Sequence, residues 1–259
     1  DYDLPEIQPE PTSEVQDRIA GYIAECIPDA ATLQTGIGGI PDAVLRRLTG
    51  HKNLGIHTEL FSAGVMDMIE AGVITNAAKT LHPGKVVAGF VLGNKELYRY
   101  INDNPVIELH PTEYVNDPYI IAKNDRMVSI NSALEVDLTG QVCADSIGSK
   151  FFSGVGGQLD FVRGASRSKG RMSFIALPST AKNDTISRIA TTLKLGSGVT
   201  TTRNDVRMVV TEYGVADLYG RSISERVQAL VNIAHPRFRD ELMEYARSQN
   251  YVGKIFSIS

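Results

Sequence analysis

The sequence predicts an α/β fold, with an open, mostly parallel sheet flanked by helices and some antiparallel strands. Short apolar runs alternate with stretches of helical periodicity along most of the chain, the pattern of successive βαβ units. Glycine clusters stand where a run ends and a helix begins, as at Gly36-Ile37-Gly38-Gly39, where the backbone must turn tightly. In the middle, Met127 to Leu138 reads as one long strand that turns at Thr139-Gly140 into Gln141-Val142-Cys143. That hairpin supplies the antiparallel part.

The elements follow in order. Residues 1–11, polar and carrying Pro5, Pro9 and Pro11, read as a linker, and 12–259 as one domain. Ser13 and Glu14 open a helix whose apolar face is Val15, Ile19, Ile23 and Cys26. Ala31 to Thr35 is a strand, and Pro41 suits the first turn of the helix through Val44, Leu45 and Leu48. Leu54 to Thr58 is the next strand, ending on Glu59, with a short helix over Val65 to Ile69. Strands are expected at 85–92 and 106–109, with a helix over 96–100 between them. Further strands are expected near 172–177, 188–193 and 206–211, then helices near 223–234 and 238–247.

Composition narrows the function classes. A chain of 259 residues that is 42% hydrophobic and 22% charged can bury a sizeable core. Its formal charge of −4 gives no basic footprint for nucleic acid and no polybasic patch for a membrane surface. Cys26 and Cys143 have no metal or redox spacing, and the five histidines form no helical pair, so no metal site is expected. No apolar run approaches the roughly 20 residues of a membrane span, and no leader pattern is read. The expected location is cytoplasmic.

Three segments could carry chemistry. Gly36-Ile37-Gly38-Gly39-Ile40-Pro41 joins a strand to a helix and would present backbone N–H groups to an anion or oxyanion. Proline at 41, where a dinucleotide fingerprint needs its third glycine, weakens a nucleotide reading. His57-Thr58-Glu59 ends the next strand, at the sheet edge where open α/β folds bind ligands. Glu59 there suits a ribose ligand, a base or a nucleophile, and spacing does not choose among them. Gly154-Val155-Gly156-Gly157-Gln158-Leu159-Asp160 is a second backbone-donor loop before a helix. Two such loops point to two walls of one site. Asn116 and Lys182 are a polar and a cationic candidate for a phosphate-bearing ligand.

Taken together, several segments resemble the acetyl-CoA hydrolase/transferase family. They are Gln34 to Pro41, Leu54 to Glu59, Asn131 to Asp137, Gly154 to Phe161, Thr211 to Leu218 and Ala234-His235-Pro236, in family order. The resemblance implies the fold that CoA-transferases share with sugar-phosphate isomerases and deaminases. It implies transfer of coenzyme A between an acyl-CoA and a small carboxylic acid of the acetate, butyrate or 4-hydroxybutyrate type, with acetyl-CoA hydrolysis as the alternative. Glu59 would be the nucleophile, forming acyl-glutamyl anhydride and glutamyl-CoA thioester intermediates. The backbone N–H groups of Ile37 and Gly157 would face the oxyanions. Gly36, Gly38, Asn116, Gly154, Val155, Gly156 and Lys182 would contact coenzyme A or substrate. Coenzyme A enters as substrate, and no permanent cofactor is implied. Family members carry two similar domains in tandem, of which 12–259 corresponds to the C-terminal catalytic one. The complete protein would be a homodimer, and the isolated chain folded but inactive. A nicotinamide-dependent oxidoreductase and a non-catalytic half-domain are the rival classes.

Overall fold

The computed structural model describes residues 4–7, 11–36 and 38–253. The chain divides into two compact units, Asp1–Asn131 with Gly157–Phe174, and Ser132–Gly156 with Ile175–Ser259. In chain order the first contains α1 (Glu14–Cys26), β1 (Thr32–Thr35), α2 (Gly39–Arg47), β2 (Gly55–Phe61), α3 (Ala63–Glu70), β3 (Val86–Val91), α4 (Lys95–Ile101), β4 (Ile107–Leu109), α5 (Thr112–Val115), α6 (Pro118–Ile121) and β5 (Met127–Ser132). The chain then enters the second unit with β6 (Glu135–Asp137), β7 (Val142–Cys143), β8 (Ser146–Ile147) and β9 (Lys150–Phe151). It returns for α7 (Gln158–Arg167) and leaves again within β10 (Met172–Ala176).

Strands of the first unit lie in the order β5-β1-β2-β3-β4, all parallel. The inner strands are covered on both faces, so β1 is buried at every residue and β2 at every residue but Glu59. That double burial is why the runs read as continuously apolar instead of alternating. α1 starts on a capping box: Ser13 Oγ accepts from Gln16 N at 3.2 Å, and Gln16 Oε1 accepts from Ser13 N at 2.8 Å. Residues 5–7 of the expected linker are tied to α4 and the residues before it, with Ile7 N donating to Gly93 O and the Tyr98 hydroxyl to Pro5 O.

Helices α5 to α7 pack through a cluster of Val87, Val115, Ile121, Met127, Phe161 and Ala165. Gly164 lets α7 approach α6. A Cβ there would stand 2.5 Å from both Ile121 Cβ and Cγ2, inside van der Waals contact. Gly164→Ala is therefore expected to destabilise the protein by about 1–3 kcal/mol through overpacking. A thermal melt shows it as a fall of several degrees, despite alanine's better helix propensity.

The second unit continues with β11 (Thr180–Ala181), β12 (Ile186–Ser187), β13 (Ile189–Ala190), β14 (Met208–Thr211), β15 (Gly214–Asp217), α8 (Ile223–Ile233), a 3₁₀ turn over Pro236–Phe238 and α9 (Arg239–Ser248). β14 and β15 form an antiparallel hairpin on which α8 packs, and α9 packs on α8. β13, β6 and β7 form a small mixed sheet. Among the described residues no helix is long and apolar enough to cross a membrane.

Several expectations shift. The long strand over 127–138 is two strands, β5 and β6, broken at Ala133-Leu134, where Leu134 N turns to Cys143 O at 2.9 Å. The hairpin after it holds, with Glu135 opposite Cys143 and Val136 opposite Val142. Of the strand expected at 188–193 only the two-residue β13 forms. Pro41 stands in the first turn of α2, as its third residue. β2 runs two residues past Glu59.

Candidate functional site

The site is built around β2. Thr58 pairs with Ala88 and Leu60 with Phe90, which sets Glu59 abreast of Gly89. A side chain at 89 would meet the Glu59 carbonyl oxygen at 3.0 Å, so the two backbones approach closely. Glu59 alone in its strand is half-buried.

Its carboxylate lies at the start of α7. A Cβ placed on Gly157, the residue capping that helix, would fall on Glu59 Oε2 and lie 2.5 Å from Asn116 Nδ2. Three expected site residues from distant parts of the sequence therefore meet: Glu59, Asn116 and Gly157. Gly157 supplies no side-chain cap, so the positive end of α7 faces the carboxylate. Asn116 Oδ1 is buried without a hydrogen-bond partner, an acceptor left open beside the carboxylate.

Asp160, in the first turn of α7, is a neighbour whose place in the site was not read from the sequence. Burial, then the charge of Glu59, pushes its carboxyl above the usual aspartate value. Gly89 was also missed. A glycine inside a Val-rich strand is the available signal for close backbone approach.

Beneath Glu59 the strand carries His57, fully buried, whose Nε2 bonds to Val115 O at 2.9 Å. Val115 ends α5 next to Asn116, so this bond ties the Asn116 segment to β2. Burial lowers the His57 pKa to about 4, against 6.5 for the free side chain. Between these values the unfolded chain binds a proton that the folded chain refuses, so stability falls as pH drops from 6.5 toward 4. We expect His57→Gln to flatten this acid limb in urea melts, by a total on the order of 3 kcal/mol. Equal acid slopes in the two proteins would contradict it.

The other residues expected at the site fall as follows. Gly36 follows β1, where a Cβ would meet Ile130 O at 3.5 Å and Asn131 Oδ1 at 3.8 Å. Asn131 and Gln34 join their side-chain amides by reciprocal hydrogen bonds of 3.0 and 3.2 Å, bridging the ends of β1 and β5. Strand order reverses around β1, the switch point where open α/β sheets form their crevice. Gly38 caps α2 with φ 115°, a conformation that favours glycine. Ile37 lies outside the described residues. Gly154, Val155 and Gly156 belong to the second unit, as does Lys182. Lys182 is exposed in the β11–β12 turn, and Lys182, Asn183 and Asp184 are all left-handed, with φ of 50°, 54° and 60°.

Comparison with known proteins identifies the family. Residues 93–246 match the family model described as the acetyl-CoA hydrolase/transferase C-terminal domain. A 4-hydroxybutyrate coenzyme A transferase of Clostridium kluyveri is 56% identical over 240 residues, covering 93% of this chain and 56% of that protein. Among solved structures, 4-hydroxybutyrate CoA-transferase from Porphyromonas gingivalis superimposes with a TM-score of 0.85 at 52% identity, covering 96% of this chain and 58% of that one. RipA from Yersinia pestis gives a TM-score of 0.92 at 44% identity, covering 97% and 57%. The chain thus spans about half the length of the curated relatives it matches.

Proposed function

The chain belongs to the acetyl-CoA hydrolase/transferase family, and from that premise we propose that the complete protein moves coenzyme A between an acyl-CoA and a small carboxylic acid, with Glu59 as nucleophile. The Glu59 carboxylate attacks the thioester carbonyl and expels the CoA thiolate, leaving an acyl-glutamyl anhydride. The thiolate then attacks the glutamyl carbonyl of that anhydride, releases the first carboxylate and forms a glutamyl-CoA thioester. An acceptor carboxylate attacks this thioester and expels the thiolate again. Attack of the thiolate on the new acyl carbonyl yields the product acyl-CoA and restores Glu59.

Each addition puts negative charge on a carbonyl oxygen. Backbone donors at Gly157 and Ile37 would meet it, the first reinforced by the positive end of α7. A preorganised donor of this kind is worth about 10²–10³ in rate. The open acceptor Asn116 Oδ1 matches an amide N–H of the pantetheine arm. By family resemblance Lys182 would meet the phosphates, and Gly36, Gly38, Gly154, Val155 and Gly156 would line the bound substrate.

The observation that carries this reading is that the Glu59 carboxylate and the Asn116 amide occupy the space a side chain at Gly157 would need. Initial rates of the complete protein with butyryl-CoA and acetate test it. Parallel double-reciprocal lines, with exchange of label between acyl-CoA and free acid in the absence of acceptor, are expected. Intersecting lines without exchange would overturn the covalent route, and butyryl-CoA breakdown indifferent to added acetate would assign hydrolysis instead.

A further inference from the structure

Away from Glu59, the first unit gathers three side chains that the proposed reaction does not use. His82 comes from the segment between α3 and β3, Glu108 from β4, and His110 from the residues just after it. One carboxylate oxygen, Glu108 Oε2, stands 2.9 Å from His82 Nδ1 and 3.1 Å from His110 Nε2. Potential ligand atoms of all three lie within 4.8 Å of one another. Four-coordinate zinc holds nitrogen and oxygen ligands at about 2.0–2.1 Å, which separates them from each other by roughly 3.3 Å. The two pairs that share Glu108 Oε2 stand within a few tenths of an ångström of that spacing, and the third lies within 4.8 Å.

The surroundings suit a metal more than a chance meeting of polar groups. His82 Nε2 lies 2.7 Å from the Tyr114 hydroxyl. With Nε2–H donating to that oxygen, Nδ1 is left as the lone-pair nitrogen facing Glu108. Metal-bound imidazoles are oriented by such a bond on the far nitrogen. The Tyr114 ring also packs on both imidazoles, with centroids at 5.9 Å from His82 and 4.9 Å from His110. Glu108 is fixed in the sheet opposite Val87, and His110 N donates to Ala88 O at 2.9 Å. His82 holds a left-handed backbone, φ 49°, a conformation that costs free energy and tends to persist at functional positions. Side-chain exposures of 24–32% leave an entry path.

We propose that His82 Nδ1, Glu108 Oε2 and His110 Nε2 form a binding site for a divalent transition metal of the zinc type, with water completing the coordination. Two neutral imidazoles and one carboxylate suit borderline metals better than magnesium or calcium, which prefer all-oxygen shells. The bound ion pins the segment before β3 to the sheet edge at β4. It is independent of the proposed acyl transfer, so either can fail without the other.

The test is calorimetric titration of zinc into the complete protein after chelator treatment, with cobalt absorbance reporting nitrogen ligation. One equivalent of zinc per chain at micromolar free metal is expected, lost in His82→Gln/His110→Gln. Tyr114→Phe should bind about 10–100-fold more weakly, because the orienting bond is gone. No zinc binding by the wild-type protein would overturn the proposal, and so would undiminished binding by the double variant. Should the double variant not fold, wild-type affinity in Tyr114→Phe would also overturn it. Retention of the cluster by shared protons alone corresponds to the first of these results.

Discussion

Replacing Glu59 with glutamine in the complete protein is expected to lower kcat for acyl transfer by at least about 10³-fold, the scale seen when a covalent nucleophile is removed. The amide keeps the size of the side chain but cannot form an anhydride. Glu59 is half-buried in a strand otherwise sealed on both faces, so the change leaves the packing of β2 intact and the melting temperature nearly unmoved. Glu59→Asp separates reach from chemistry. It keeps the carboxylate but withdraws it by one methylene from the start of α7, so a smaller but still large loss is expected. Steady-state transfer assays beside thermal melts check both. A glutamine variant with more than a tenth of wild-type turnover would remove Glu59 from the reaction.

The second large effect is expected at Gly157→Ala. The backbone there, with φ −87° and ψ 4°, is open to alanine, so the substitution carries no backbone strain. All of its consequence comes from one methyl group falling on Glu59 Oε2 and on the Asn116 amide. Both side chains must move, and misplacement by about 1 Å can cost on the order of 10²-fold in rate. We expect kcat to fall by roughly that factor while stability changes by less than about 1 kcal/mol. Gly156 offers the contrast. Its φ of 61° favours glycine and a Cβ there meets nothing within 4 Å, so alanine costs about 1 kcal/mol through the backbone alone.

Much of the first unit was legible because parallel strands covered on both faces leave apolar runs. Leu33, Ile56, Val86 and Val87 are all fully buried, and the glycine loops mark where such runs end. The second unit was less so. Its two-residue strands β11 to β13 are too short to show any period, and the break between β5 and β6 follows from tertiary hydrogen bonds of Ala133 and Leu134, not from local preference. At the site, sequence placed Glu59 and Gly157 each at the end of an element. Their contact, and that of Asn116 with both, exists only in the fold. Asn116 was legible only as a polar candidate for a ligand, whereas Gly89 and Asp160 needed the register of β3 and the first turn of α7. The histidine-carboxylate cluster had no local signature, since His82 and His110 are brought together by the pairing of β3 with β4.

Covalent capture of coenzyme A by Glu59 is tested most directly by peptide mass spectrometry. The complete protein is incubated with an acyl-CoA in the absence of acceptor, quenched, digested and mapped. A CoA thioester on the peptide that carries Glu59, absent from Glu59→Gln, is the expected result. A CoA adduct on another residue, or an unmodified Glu59 peptide from a protein that is turning over, would contradict it.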